Sequence, residues 1–436
     1  MSRPENRARK CLLITTVWPE WTSSAAGVRT RYLAEVFQKA GYRVTLQCSA
    51  VDSRFRSELE ALGFETHAQP INDDSFDTWI KEYAPDVVIF DRFVIEEQFG
   101  WRVKQHSPTT LLVLDTQDLH FLRRHRGAEL QSSPTQWSQI TERSEKLKAL
   151  QQSDWTSNAD ALRELGAIQR CDLSLVVSDF ERDLLLQSPF SIPPTKILLC
   201  RWGVAPLPET ETPNWETREG LSLIGNFRHP PNHDGVFWFH REIWPILQAQ
   251  SSRRIRVHLY GAYAPREISE LHSPETGFLF HGWAPDETLA LQRAQLNLAP
   301  LRFGAGIKGK ILEGWRAGTP CIATSIGAEG LCESDDFGGK IANSSEEFAN
   351  AILSFTEDVQ GSRFREAAQQ GRDILARHYS PDSIASELLN RVEDLLQDLS
   401  EIRRSDFWGA VLSQELCART KYFSQWIEAK NKAKSS

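Results

Sequence analysis

The sequence predicts an α/β protein built as two doubly wound domains facing each other across a cleft. Three observations predict it. Short apolar runs alternate with amphipathic helical stretches, twice over. A Pro-, Thr- and Glu-rich stretch at 206–219 separates the two series. The 436 residues exceed what one typical core holds.

The first series opens on residues 11–17 (CLLITTV), an expected buried strand. A helix over 28–40 spaces Tyr32, Leu33, Val36, Phe37 and Ala40 on one face; Gly41 stops it and RVTLQCS is the next strand. Strand, helix and strand make a right-handed βαβ unit. Gly27 either lets the preceding loop approach a ligand or serves as a helix-start turn residue. Helices at 54–62 and 76–83, strand VVIF and strand 111–116 (LLVLDT) continue the pattern. Strands apolar throughout suit a parallel sheet covered on both faces. Polar residues past the carboxyl end of such a strand line the usual ligand crevice. Asp115, Asp118 and His120 stand there, with Arg123, Arg124 and Arg126 beyond; a lone His in such a place is otherwise an ordinary surface residue. Residues 127–158, rich in Ser, Gln and Thr, read as a loop and then a helix. A helix over 159–170 leads to strand 173–177, and Ser178 with Glu181 three residues on reads as a capping box.

The second series runs through LSLIG, the loop 226–232, a helix over 233–248, strand IRVHLYG, the segment FLFHGW and strand LNLAP. A helix over 308–317 is stopped by Gly318, and Pro320 opens strand CIAT. Two helices between 345 and 376 are divided by Gly361-Ser362, and 382–399 has apolar residues at helical spacing.

Composition narrows the function. A net charge of −8 argues against nucleic acid as a partner, which needs a broad basic face. No apolar run reaches the roughly 20 residues of a membrane span. The polar start MSRPENRARK followed by CLLITTV is a short strand rather than a signal-peptide core. The seven cysteines form no C-x-x-C pair, which suits reduced thiols in a cytoplasmic protein and offers no zinc site.

The chemistry concentrates at 300–331. Gly304, Ala305 and Gly306 form a loop that permits close backbone approach, and a helix follows at once. Free N–H groups and the helix dipole make such a place an anion site, and Lys308 and Lys310 add positive charge. Glu313 lies five positions after Lys308, off the i, i+4 register, so its carboxylate is available to a sugar hydroxyl. The plainer reading is a common strand–loop–helix unit with solvated lysines and a surface glutamate.

The run Gly306, Lys308, Lys310, Glu313, Gly318 and Pro320, followed by Gly327 and Glu329-Gly330-Leu331, resembles the donor-site signature of group 1 glycosyltransferases. These are retaining enzymes of GT-B fold. The resemblance spans roughly residues 11–399 and is specific around 225–232 and 300–331. It implies that Glu313 holds the ribose of a nucleotide diphosphate sugar, and that Lys308, Lys310, Gly304, Gly306 and Gly327 hold its diphosphate. By the same resemblance Arg228 and Asn232 help at the first loop of the second domain; Gly282 and Trp283 meet the nucleobase. Gly27 borders the donor. His120, with Asp118 beside it on the acceptor side, faces the transferred sugar or the acceptor. His120, Lys308 and Arg228 are the implied catalytic groups, the cations stabilising the leaving diphosphate. The Arg cluster after His120 is either solvated or reads an anionic acceptor. No D-x-D pair stands in the donor loop, so no metal or cofactor is expected beyond the donor substrate.

Two departures stand out. Many members carry a second Glu where this chain has Ala305, and Trp202 replaces a usual Asn. Ala305 keeps open an alternative, a non-catalytic nucleotide-sugar or glycan-binding protein of the same fold.

The implied layout is an acceptor-side domain at 1–205, a linker at 206–219, a donor domain at 220–380, a crossing helix at 381–399 and a basic-aromatic tail at 400–436. The expected partners are a nucleotide-sugar donor and a hydroxyl acceptor on a glycan, a lipid-linked glycan or a small molecule. The tail holds Phe407, Trp408, Leu412, Leu416, Tyr422, Phe423, Trp426 and Ile427 among Lys and Arg. It reads as a helix packed on the first domain or as a peripheral contact with the inner membrane face.

Overall fold

The computed structural model describes residues 8–133, 137, 140–332, 336–414, 422 and 426. Among them are two parallel sheets. The first has the order β3-β2-β1-β4-β5-β6-β7 and the second β10-β9-β8-β11-β12-β13. The first comprises β1 (Lys10–Thr15), β2 (Arg43–Cys48), β3 (Glu65–Ala68), β4 (Val87–Asp91), β5 (Leu111–Asp115), β6 (Leu173–Val176) and β7 (Ile197–Leu199). The second comprises β8 (Leu221–Ile224), β9 (Val257–Tyr260), β10 (Phe278–Gly282), β11 (Leu296–Ala299), β12 (Cys321–Ala323) and β13 (Gly339–Ile341).

In each sheet the winding reverses beside the first strand, between β1 and β4 and between β8 and β11. Loops leaving those strand ends diverge and open a crevice. The two crevices face each other. Asn226 after β8 donates to the Ser23 carbonyl at 3.0 Å, and Trp283 after β10 donates to the Thr22 carbonyl at 3.0 Å. Tyr263 after β9 donates to Glu20 at 2.8 Å, so three loops of one sheet meet the single loop after β1.

The strands are apolar on both faces because helices cover both. Leu12, Ile14, Val88 and Phe90 point to one core of the first sheet; Leu13, Val44, Leu46 and Ile89 point to the other. The second core also receives Leu388, Val392, Leu395 and Leu399 from helix Pro381–Ser405. That helix follows the second sheet in the chain yet is buried on the first, and it runs beyond the 399 expected. The stretch at 206–219 is not a loose tether. It makes two short 3-10 turns, Glu209–Glu211 and Trp215–Thr217. Arg218 at its end is buried, donating to the Ala317 carbonyl at 3.0 Å and to Thr319 at 2.7 Å.

Residues 127–132 are helical where a loop is expected, and the helix expected later in 127–158 is Arg143–Gln151. A helix, His120–Ser132, begins directly at the end of β5. Its N-cap is Leu119, which has no capping side chain, so no local signal marks it. Its free N–H groups are taken from a distance. Leu119 N–H donates to Glu181 at 2.8 Å and Phe121 N–H to Glu164 at 2.9 Å, and both carboxylates are buried. The expected capping box is therefore absent: Ser178 makes no side-chain cap bond, and Glu181 serves another helix. β3 and β13 were also not expected, being short edge strands of weak apolar content.

The first part of the tail packs on the first domain. Arg403 donates to buried Asp172 and to the Thr110 carbonyl at 2.7 Å, and Lys196 pairs with Asp406 at 2.6 Å. Helix Phe407–Leu412 lies on helix Ala159–Arg170, leaving Phe407 and Trp408 exposed. Leu416, Phe423 and Ile427 lie outside the described residues; Tyr422 and Trp426 are exposed. Among the described residues no helix is long and apolar enough to cross a membrane.

Candidate active site

The expected loop–helix unit forms. β11 ends at Ala299, the loop carries Gly304 and Gly306, and helix Gly309–Arg316 follows with Lys308 as its N-cap. Lys308 supplies no side-chain cap to the first-turn N–H groups. Gly306 sits at φ +63, and a Cβ there would lie 2.8 Å from Cβ of Asp118. Gly309 is tightly packed too: a Cβ would meet the Trp202 ring at 3.1 Å and Ala25 at 3.4 Å. Two glycines thus let the loop at 304–309 seat against the first domain. Trp202, the departure from the usual Asn, forms part of that seat.

Lys308 is buried, 7 % exposed, and donates to the Gly306 carbonyl at 2.7 Å. Burial lowers its ammonium to about 8, with Arg126 and Lys146 adding repulsion and Glu329 and Glu181 opposing. Lys310 donates to Asn232 Oδ1 at 2.8 Å, and Asn232 in turn donates to the Asn226 carbonyl at 2.9 Å. Burial likewise lowers Lys310 to about 8. His229, beside Arg228, is lowered to about 3 by burial and by Arg123, Lys310, Lys308 and His120. Cationic side chains from both domains thus stand close enough to repel one another. An anion placed among them would relieve that repulsion.

His120 opens its helix under Phe93, ring centroids 5.7 Å apart. Burial, with Arg92 and Arg124 nearby, lowers it to about 4, so the ring is neutral near pH 7. Its Nε2 lies 3.3 Å from Asp118 Oδ1, and Asp118 also pairs with Arg123. A neutral ring held through one nitrogen leaves the other able to accept a proton or a hydroxyl hydrogen bond.

Glu313 is half-buried and accepts from Arg316 at 3.1 Å, while Arg316 also donates to Thr288 at 3.0 Å. Burial pushes its carboxyl up and Arg316 opposes the shift. Arg228 is exposed and stacks on Tyr263, 3.6 Å from the ring centroid, rather than pointing at Lys308. Gly282 takes φ +74 with open space about it, and Trp283 is partly exposed beside Arg54. Gly27 and Gly327 are each required by close packing. A Cβ on Gly27 would meet the Glu20 backbone at 2.5 Å, and one on Gly327 the Ala299 carbonyl at 2.8 Å.

The arginines after His120 separate. Arg124 is exposed and pairs with Asp160 at 2.5 Å. Arg126 is fully buried and holds Glu329 of the second domain with bonds of 2.6 and 3.0 Å, and also donates to the Gly304 carbonyl at 2.9 Å. It is neither solvated nor free for an anionic ligand. Asp115 is closed off as well, paired with buried Arg29 at 2.7 Å. Ala305 is buried with Ile326 in a core cluster of the first domain. Sequence reasoning assigned no role to Glu329 and gave Glu181 a local one; the E-G-L run carried the only hint of the former. Beside the 300–306 loop a cleft of about 410 Å³ opens between the domains, lined by Gly127, Leu130, Phe227, Arg228 and Phe303.

Two facing Rossmann-like domains with the switch-point crevices opposed define a GT-B fold. Within it, residues 218–358 match the family model of glycosyl transferases group 1. Solved structures share the fold at low identity. A glycosyltransferase from Rickettsia africae is 12% identical with a TM-score of 0.65, the match covering 90% of this chain and 100% of that one. HepE from Anabaena, solved with UDP and glucose, is 14% identical with a TM-score of 0.64, covering 89% and 100%. Sucrose-phosphate synthase from Thermosynechococcus elongatus is 15% identical with a TM-score of 0.62, covering 89% and 99%. No curated protein matches the sequence.

Proposed function

We propose that the protein transfers a sugar from a nucleotide diphosphate sugar to a hydroxyl of a glycan, a lipid-linked glycan or a small molecule. The observation that carries this reading is the convergence of Lys308, Lys310 and His229 with Arg123 and His120 across the cleft: burial lowers each of them, and His229 is lowered further by Arg123, Lys310, Lys308 and His120. The family match over 218–358 and the likeness to HepE, solved with UDP and glucose, support it. Charge builds on the leaving diphosphate in the transition state, where Lys308, Lys310 and first-turn N–H groups lie in a dry site. Glu313 accepts the ribose hydroxyls. His120, neutral and held by Asp118, accepts a hydroxyl hydrogen bond from the acceptor or the transferred sugar. These cations serve the diphosphate without a metal ion, and transfer retains the anomeric configuration.

Ala305 favours a second reading, a nucleotide-sugar-binding protein without turnover, because no carboxylate stands at that position against the sugar. A turnover screen over UDP-, GDP- and ADP-sugars, run with and without EDTA, separates the two. Turnover of one donor in EDTA supports the transferase. Saturable binding with no release of nucleoside diphosphate supports the binding protein.

A further inference from the structure

The chemistry proposed above needs His120, on the first domain, held in register with the loop that leads to Lys308 on the second. Arg126 of the His120 helix already holds the Gly304 carbonyl of that loop, and one carboxylate oxygen bonds to both segments next to the two side chains. Glu181 Oε1 accepts from Leu119 N–H at 2.8 Å and from Gly306 N–H at 2.8 Å. Leu119 directly precedes His120, and Gly306 lies two residues before Lys308. Glu181 is 1 % exposed, and its Oε2 is buried without a partner. A buried carboxylate with an unpaired oxygen is costly, so its presence calls for a structural or functional reason.

The surroundings fix what that need is. Gly306 has the left-handed φ of +63 and no room for a Cβ against Asp118, so the loop lies directly on 117–119. Glu164 provides a built-in comparison. It is equally buried and caps the same helix, through Phe121 N–H at 2.9 Å, but its partners are all in the first domain. Capping the helix is therefore Glu164's task as much as Glu181's. Reaching Gly306 is Glu181's alone of the pair.

We propose that Glu181 is a positioning residue that sets the register of His120 against the donor loop, through one oxygen shared by the two domains. It touches neither donor nor acceptor. The proposal rests, for its effect on turnover, on the transferase reading; its geometric part does not.

Two measurements on the full-length protein test it. The first is amide hydrogen exchange of the ligand-free protein. Glu181→Ala is expected to speed exchange in peptides covering both 119–121 and 304–308 by about tenfold or more, since both N–H groups lose their acceptor. Glu164→Ala is expected to speed 119–121 and leave 304–308 unchanged. Glu181→Asp, a methylene shorter, keeps the charge but withdraws the oxygen, so it gives the same pattern should the alanine variant not fold. The second is steady-state turnover with the donor that the wild type uses in the screen. Glu181→Ala is expected to lose about tenfold in kcat/KM, and Glu181→Gln to recover most of it, because an amide oxygen also accepts both bonds. Unchanged exchange at 304–308 in both Glu181→Ala and Glu181→Asp overturns the proposal. So does a Glu181→Gln variant as impaired as Glu181→Ala. If the wild type turns over no donor, the transferase reading fails and the exchange result alone decides the role of Glu181.

Discussion

Arg126 of the first domain grips Glu329 of the second with two hydrogen bonds, at 2.6 and 3.0 Å, in a fully buried ion pair. Lys146 stands 3.7 Å from the same carboxylate, and burial lowers Lys146 as well. A planar guanidinium bidentate on a carboxylate tolerates little displacement, so this pair fixes how the domains close.

Removing one partner leaves the other charge buried. Arg126→Ala is expected to destabilise the protein by about 3–5 kcal/mol, read by urea unfolding. The double variant Arg126→Met with Glu329→Leu is expected to recover only part of that loss, because it leaves buried Lys146 without its carboxylate. A single variant as stable as the parent would refute the assignment of the pair as the closing contact.

Lys308→Ala is expected to cut turnover by about 2.7–4 kcal/mol of transition-state stabilisation, with the fold retained by circular dichroism. The reason is its buried position between the donor loop and helix Gly309–Arg316. Parent-like kcat in the variant counts against a diphosphate role.

Lys308 and Lys310 give a pH prediction. Both titrate near about 8 in the folded protein, below the usual lysine value of about 10.4. A lowered lysine means that the unfolded chain binds more protons, so these groups add stability as pH rises from about 8 to about 10.4. Nucleoside diphosphate binding works the other way. It favours the protonated ammonium, so affinity should fall as pH rises above about 8 and binding should take up protons there. Titration calorimetry at pH 9 in two buffers of different ionisation enthalpy measures the uptake; identical heats would exclude it.

Glu313→Gln is expected to weaken nucleoside diphosphate binding by about 1.5–3 kcal/mol, the worth of hydrogen bonds to a charged acceptor. Binding of inorganic pyrophosphate should be little changed, because that ligand has no ribose. Equal losses for both ligands would place Glu313 elsewhere.

Deleting 401–436 is expected to lower the thermal midpoint, because Arg403 and Asp406 tie this segment to Asp172 and Lys196. Sedimentation with anionic liposomes at low salt tests the other reading of the tail. Full-length protein that stays in the supernatant rules out a membrane contact through Phe407 and Trp408.

The sequence by itself determined the alternation of strands and helices, because burial on both faces of a parallel sheet demands runs that are apolar throughout. It also marked the loop at 304–306 and Lys308, since a glycine loop ahead of a helix is a local pattern. Helix His120–Ser132 was not legible. Its start is capped by Glu181 and Glu164, which are far away in sequence. The same reason hid the fate of Arg126: a charged residue in a polar run gives no sign that a carboxylate two hundred residues on will bury it. Gly27 and Gly327 show the converse, glycines that suit a ligand site by pattern but are required by backbone packing at 2.5 and 2.8 Å. Local periodicity is written within one turn or one strand. Which charge meets which across a closed cleft is decided only when two separately folded sheets are brought face to face.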